Sequence, residues 1–242
     1  MVDIHTHVLP QLDDGAKDME ASLSLLRDAE RQGIDTVFVT PHIITGLYTP
    51  TAKEIKQQQK ILQDRLFQEN IGITLVMGAE IGITSEVKTE ELMHYTLNGG
   101  EKYLLLELPF VSYPLNCDEV IFQYQSQGFT PIIAHPERAF SVINKPDRLR
   151  AWRKKGVLFQ INSKSIIGRY GKTVKNVAIK MLKDGIVDFV ASDAHSSEWG
   201  FDFNDTIPVL EKLVGKAKTD ELLGQNARRL ILAENERVAQ GV

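Results

Sequence analysis

Short apolar runs rich in β-branched residues recur along the chain at intervals of roughly 30 residues, the length of one strand–helix unit. They predict strands over 2–4, 36–40, 73–77, 103–106, 130–134, 157–161 and 188–191. Between them the apolar positions take a helical period, predicting helices over 18–32, 51–69, 88–97, 117–127, 146–155 and 173–183, with two more over 206–216 and 220–232. Gly33, Gly128, Gly156 and Gly185 stand where those helices must end in a left-handed C-cap. Near-continuous apolar strands that alternate with helices are covered on both faces, which implies an α/β fold with a parallel sheet. With no repeat, linker or low-complexity segment, the 242 residues read as one domain, 1–242.

The polar residues gain meaning against those strands. His5 and His7 close the first, His42 the second, Glu80 the third, Glu107 the fourth, His135 the fifth, Asn162 the sixth, and Asp193 with His195 the seventh. Side chains alternate in a strand, so His5 and His7 point to one side. Asp13-Asp14-Gly15 then turns two carboxylates back toward the same end. In a closed βα barrel the C-terminal ends of all strands meet at one face, so these scattered residues converge on one pocket. Of the six histidines only His94 lacks a preceding apolar run.

Five imidazoles with several carboxylates form a mixed nitrogen and oxygen donor set, suited to Mn, Fe, Zn or Co. The donors are too many for one ion; two or three ions bridged by a carboxylate would use them all. Such a cluster lowers the pKa of bound water and implies hydrolysis. Arg138, three residues after His135, is placed to clamp an anionic group such as phosphate, while the competing reading is a surface pair with Glu137.

Composition narrows the alternatives. A net charge of -4 without a basic run argues against a nucleic-acid-binding face. No stretch is long and apolar enough to cross a membrane and no leader-like start is seen, so neither export nor membrane insertion is expected. One cysteine, Cys117, excludes an internal disulfide and suits a cytoplasmic location. The residue six after Cys117 is Gln123, so the Cys-x5-Arg phosphatase motif is absent, and packing is the role expected of Cys117. No Gly-x-Gly-x-x-Gly turn supports dinucleotide binding.

The opening DIHTHVLPQLDDGAKDMEASLSLLRDAERQGIDTVFVTPH, Gly78-Ala79-Glu80, Leu106-Glu107-Leu108-Pro109, Ile133-Ala134-His135-Pro136-Glu137-Arg138 and Ala191-Ser192-Asp193-Ala194-His195 together resemble the polymerase and histidinol phosphatase (PHP) superfamily. Within it they resemble the bacterial manganese-dependent protein-tyrosine phosphatases of capsule and exopolysaccharide operons, the CpsB/CapC or YwqE type. The resemblance implies a distorted seven-stranded (β/α)7 TIM-like barrel with a trinuclear metal site at the C-terminal strand ends. It assigns His5, His7, Glu80 and Asp193 to one metal, Glu80, Glu107 and His135 to a second, and His42, His195 and Asp14 to a third, with Asp13 as the alternative to Asp14. It further implies phosphate binding by Arg138, attack by a metal-bridged hydroxide, and a substrate in the phosphotyrosine tail of a bacterial tyrosine kinase.

His42 or Asp14 could assist the phenolate leaving group. The stretch after His195 lacks the second arginine common in this group, and Arg169 is the candidate replacement. Tyr48, Phe110, Tyr113, Trp199 and Phe201 are candidate walls for an aromatic ring, against the alternative that they pack loops onto the rim. A histidinol-phosphate phosphatase is the rival that would use the same fold and metals.

Overall fold

The structure, a computed structural model, describes residues 1–100, 102–111, 116–145 and 147–231. Seven passages of strand alternate with helices, and every strand pairing among them is parallel. In chain order the elements are β1 Val2–Thr6, α1 Met19–Arg31, β2 Thr36–Val39, β3 His42–Ile43, α2 Ala52–Gln68, β4 Thr74–Met77, β5 Glu80–Gly82 and α3 Thr89–Leu92. They continue with β6 Tyr103–Glu107, α4 Cys117–Ser126, β7 Thr130–Ala134, α5 Phe140–Asn144, α6 Asp147–Lys154, β8 Leu158–Asn162, α7 Ser163–Ile167, α8 Lys172–Lys183, β9 Phe189–Ala191, α9 Phe203–Val214 and α10 Lys216–Asp220. A π-helical turn over Glu221–Gln225 follows.

The expected α/β fold with parallel strands is present, and its strands lie in two sheets, neither closed, in the orders β1-β2-β4 and β3-β5-β6-β7-β8-β9. The second and third passages are each broken in two. Pro41 has no N–H to extend the ladder of β2, although its carbonyl still accepts from Glu80 N at 3.1 Å. Gly78 interrupts the third passage where a Cβ would stand 2.7 Å from Leu97 Cδ2, so a larger residue would have to displace that side chain. The breaks place His42 and Glu80 at the starts of β3 and β5, paired directly with each other across the sheet. An isolated parallel bridge joins Thr6, the last residue of β1, to Ala194, beyond the end of β9.

Alternate strand positions feed two buried clusters. Val37, Val39, Leu104, Leu106, Ile133 and Val190 pack with helix residues such as Leu23, Leu62, Ile121, Trp152 and Met181. Phe38, Leu105, Ile132, Ala134, Phe189 and Ala191 form the second cluster, together with Leu97, Ala227 and Leu230. The period of two read from the sequence is thus the partition between the two faces of the sheet.

Helix starts follow their caps. Asp18 accepts from Ala21 N at 2.8 Å ahead of α1, and Thr51 and Glu54 form a reciprocal capping box ahead of α2. The helix expected over 88–97 stops at Leu92 and gives way to two 3-10 turns, because Thr96 is extended and Asn98 is left-handed at φ 65. α9 starts at Phe203, earlier than expected, and tolerates Pro208 in its first turns. Residue 146 of one expected helix and residue 232 of another lie outside the described residues. Cys117 opens α4 and is fully buried. No described helix is long and apolar enough to cross a membrane.

Candidate metal centre

β1 delivers the first ligating groups, and the loop after it supports them. Asp3 is buried and accepts from Ser192 N at 3.1 and 3.2 Å and from His5 N at 3.2 Å, tying β1 to the end of β9. Asp13 bends back on the loop that Gly15 makes possible. A Cβ at Gly15 would lie 2.0 Å from the His7 carbonyl oxygen. Asp13 Oδ2 accepts from His7 Nδ1 at 2.6 Å and from His42 N at 3.0 Å, and its Oδ1 accepts from Gly15 N at 2.9 Å.

The second nitrogen of each imidazole is directed by the bond its first one makes. His5 Nδ1 donates to Gln160 Oε1 at 3.0 Å, and that oxygen also accepts from His135 N at 3.3 Å. His195 Nδ1 donates to the Asp193 carbonyl at 3.0 Å. The remaining nitrogens, His5 Nε2, His7 Nε2 and His195 Nε2, turn toward carboxylates. Glu80 Oε2 lies 3.1 Å from His5 Nε2, 3.3 Å from His7 Nε2 and 3.0 Å from His42 Nδ1, while Oε1 lies 2.9 Å from His135 Nε2. Asp193 Oδ2 is occupied by Arg138 Nη1 at 2.7 Å and Asn162 Nδ2 at 2.8 Å, leaving Oδ1 within 3.6 Å of His5 and 3.4 Å of His7.

Four groups of donor atoms result, each close enough to surround a cation: His7, Asp14, His42 and His195; His5, His7 and Asp193; His5, Glu80 and His135; and His42, Glu80 and Glu107. All nine residues named from the sequence are brought together. Of the Asp13–Asp14 pair, Asp14 enters a donor group, and Asp13 grips His7 from behind. The donor set fits transition-metal ions on a specific observation. Glu80 Oε2 and His42 Nδ1 are fully buried and 3.0 Å apart, yet neither has a hydrogen-bond partner among the described residues. Two imidazole nitrogens, His5 Nε2 and His7 Nε2, also approach to 3.1 Å. Buried polar atoms in such a crowd are costly unless a cation satisfies them.

Protonation equilibria express the same crowding. Burial alone would lower the His5 pKa, but Glu80 and Asp193 outweigh it and raise it to about 8. His7 is likewise held well above its usual range, burial being overcome by the charge and hydrogen bond of Asp13. Glu80 is held well below the carboxylate range, because the fields of His5 and His42 exceed the cost of burial. Glu107 goes the other way, pushed up to about 8 by burial and by the Glu80 charge. Burial lowers His135. The cluster is thus a network of protons that cations can displace.

A cleft of about 340 Å³ opens over the cluster, with Asp14, Asp193 and His195 on its walls beside Arg138, Tyr170 and Trp199. Arg138 is no surface partner of Glu137. The Glu137 carboxylate is buried, accepts from Asn162 N at 2.9 Å and Ser165 Oγ at 2.6 Å, and its pKa is pushed up to about 7 by burial. Arg138 instead lies between two rings, 4.5 Å from the Phe110 centroid and 4.3 Å from that of Tyr170.

Arg169 is held by Asp202 at 3.0 and 2.8 Å and by the Glu198 carbonyl at 2.7 Å, and lies over Trp199 rather than in the wall of the cleft. Among the proposed aromatic walls, Trp199 lines the cleft, Tyr48 stacks on His42 with centroids 5.9 Å apart, and Phe201 is fully buried as packing. Tyr113 lies outside the described residues.

Sequence reading passed over three contributors. Gln160 was visible as a polar residue inside the apolar run Val157–Ile161. Lys164, fully buried, donates to the Ser192 carbonyl at 2.5 Å and so steadies the segment that carries Asp193. Tyr170, in a loop between glycines, gave no periodic signal.

The family described as "Capsular polysaccharide synthesis, CpsB/CapC" matches residues 1–232. Tyrosine-protein phosphatase YwqE of Bacillus subtilis is 35% identical over 233 residues, 96% of this chain and 91% of that protein. The putative tyrosine-protein phosphatase CapC of Staphylococcus aureus is 32% identical over 81% of this chain and 77% of its own length. A solved structure from the pair YwqE of B. subtilis and CpsB of Streptococcus pneumoniae, described as unique metal-dependent tyrosine phosphatases, superposes with a TM-score of 0.89. It is 34% identical and covers 97% of this chain and 95% of its own. Histidinol phosphate phosphatase of Lactococcus lactis, at 12% identity and a TM-score of 0.54, shares the fold. A match of this length in sequence and in structure places the chain in the CpsB/CapC family.

Proposed function

We propose that the chain is a metal-dependent protein-tyrosine phosphatase, a single domain folded as a distorted seven-stranded barrel. Its substrate in this reading is the phosphotyrosine tail of a cytoplasmic bacterial tyrosine kinase that controls capsular or exopolysaccharide synthesis. The observation that carries the reading is the Glu80 carboxylate, buried within 3.3 Å of four imidazoles in a donor cluster whose Asp14, Asp193 and His195 line a cleft beside Arg138. The relatives named above are tyrosine-protein phosphatases, one pair of them metal-dependent, which supports the same reaction class.

His5, His7, Asp14, His42, Glu80, Glu107, His135, Asp193 and His195 would hold two or three divalent ions; the donor set suits Mn, Fe, Zn or Co, and the family resemblance makes manganese the first choice. Bound there, the ions supply Lewis-acid activation of water and neutralise charge on the phosphoryl oxygens. The chain itself orients the ester. Arg138 has its guanidinium plane fixed between two rings and one N–H fixed by Asp193, leaving donors to grip a phosphate. Phenolate leaves readily, with a pKa near 10, so little acid assistance is needed. Of the two candidate proton donors, Asp14 is ill suited, since its hydrogen bond to His195 lowers its pKa. His42 is raised by Glu80 against the effect of burial and carries the more available proton in the metal-free chain.

The test is phosphate release by chelator-stripped protein, with and without Mn, from a phosphotyrosine peptide and from histidinol phosphate. Mn-dependent release from the peptide is the expected result. A preference for histidinol phosphate would overturn the assignment while keeping the metal centre. His135→Ala and Asp193→Asn should each lower release by orders of magnitude in folded protein, and near-normal turnover would remove that residue from the centre.

A further inference from the structure

An ordered stack that the metal centre does not explain borders the cleft, its three middle members, Arg138, Tyr170 and Trp199, lining it. Phe110, Arg138, Tyr170, Trp199 and Arg169 follow one another face to face. The Arg138 guanidinium carbon lies 4.5 Å from the Phe110 centroid and 4.3 Å from the Tyr170 centroid. The Tyr170 and Trp199 rings are 5.5 Å apart and within 6° of parallel. Arg169 covers Trp199 at 5.0 Å. Each cation is tied down, Arg138 by Asp193 and Arg169 by Asp202 and the Glu198 carbonyl. The rings thus form a panel packed against two cations whose positions are fixed by ion pairs.

Two features leave the panel open to a ligand in the cleft. Trp199 is 36% exposed although an indole of that size is normally covered. Its exposed part lines the cleft shared with Asp14, Asp193 and His195, which at about 340 Å³ has room for one aromatic ester. Arg138 stands next to Tyr170 in the stack, so a group gripped there has the apolar ring edges of Tyr170 and Trp199 alongside it.

We infer that Tyr170 and Trp199 form the surface on which the phenyl ring of the substrate rests, and that they set the preference for aryl over alkyl phosphate esters. Arg169 is a positioning residue, holding Trp199 in the wall. The inference rests on the phosphatase reading given above. A phosphoserine side chain has no ring to lay on the panel, so it gains only the phosphate contacts, whereas a phosphotyrosine gains both.

The experiment compares kcat/KM of the Mn-loaded protein for one peptide carrying phosphotyrosine and its counterpart carrying phosphoserine. Trp199→Ala should lower the ratio of the two values by about tenfold, the worth of a good ring–ring contact, and chiefly by raising KM for the phosphotyrosine peptide. Trp199→Phe, which keeps a smaller ring, should recover most of the ratio, and Tyr170→Phe should keep it. If Trp199→Ala does not fold, Trp199→Leu reads the same ratio with apolar bulk but no ring face. Phosphotyrosine should also change the tryptophan emission of the wild type and leave Trp199→Phe unaltered. Release from the phosphotyrosine peptide with an unchanged ratio in folded Trp199→Ala and Tyr170→Ala would refute the panel and leave the phosphatase reading standing. A Mn-loaded wild type that releases phosphate from neither peptide would overturn both.

Discussion

Asp13 and Asp14 are adjacent in sequence and do different work, and exchanging each for asparagine separates the two roles. Asp13 is almost wholly buried, and its two oxygens accept three N–H groups, from His7, His42 and Gly15. An amide offers one acceptor oxygen where the carboxylate offers two, so Asp13→Asn turns an NH2 toward at least one of those donors. Burial raises the Asp13 pKa, but the His7 charge and hydrogen bonds outweigh it and bring it from 3.8 to about 2. At about 1.4 kcal/mol per pH unit, that difference makes the ionised Asp13 worth about 2 kcal/mol to the folded metal-free chain.

The sign is that of a depressed acid. The contribution is present above pH 3.8 and fades as the pH falls through about 2. It also depends on a protonated His7, whose pKa is raised, so it declines again at alkaline pH. Metal-free Asp13→Asn at pH 6 should melt about 4–8 °C below the wild type. Its metal affinity should fall by roughly 10–100-fold, as expected when the carboxylate behind a ligating histidine is lost. Asp14→Asn alters a side chain that is 49% exposed and should leave the metal-free Tm within about 1–2 °C while abolishing one ion of the stoichiometry. Differential scanning calorimetry of stripped protein and calorimetric titration with Mn or Zn measure both. An unchanged Tm and affinity in Asp13→Asn, with both lost in Asp14→Asn, would refute this division of labour.

Two further outcomes follow from the same geometry. Gly15→Ala would drive a methyl into the His7 carbonyl at 2.0 Å, and because that neighbour is backbone the Asp13–Asp14 loop must move; stability should drop by about 1–3 kcal/mol and metal affinity by tenfold or more, and a variant indistinguishable from wild type in both titrations would contradict the loop's role. Metal affinity should weaken as the pH falls from 8 to 6, because His5, with its pKa at about 8, and His7, likewise raised well above its usual range, hold protons that metal must displace; about tenfold per pH unit for each displaced proton is expected, and proton release measured in an unbuffered titration should be visible at pH 7, whereas a flat profile would show that the histidines are already neutral in the free site.

The parts legible in the sequence were those set by local periodicity. Strand positions followed from apolar runs, and because six of the seven runs were followed by a His, Asp or Glu, the convergence of His5, His7, His42, Glu80, Glu107, His135, Asp193 and His195 followed from parallel topology. Other features depended on contacts that no local pattern encodes. The third passage breaks at Gly78, where Leu97, distant in sequence, takes the space beside the glycine. Phe201 looked like a loop aromatic and is core, since its carbonyl accepts from Ser163 Oγ at 2.9 Å and its ring packs inward. Arg169 looked available for phosphate, but Asp202, itself left-handed at φ 57, captures it. Tyr170 could not be told from any other loop tyrosine until the stack between Arg138 and Trp199 was seen.

Backbone strain and ligand placement meet at two of these residues. His135 and Asp193, each just past the end of its strand, have positive φ values of 29° and 55°, which non-glycine residues adopt at a cost of about 1–3 kcal/mol. Both are over-determined by their neighbours. Gln160 accepts from His135 N, Glu80 takes its Nε2, and Asp193 N donates to the His5 carbonyl at 3.0 Å while Lys164 binds the Ser192 and Asp193 carbonyls. In an extended conformation both side chains would continue the alternation of β7 and β9; the left-handed turn re-aims them at Glu80 and His5. The buried Gln160 and Lys164 hold that turn. The strained backbone is thus the link between a sheet that packs for stability and a cluster of donors that, without a cation, repel or compete for the same protons.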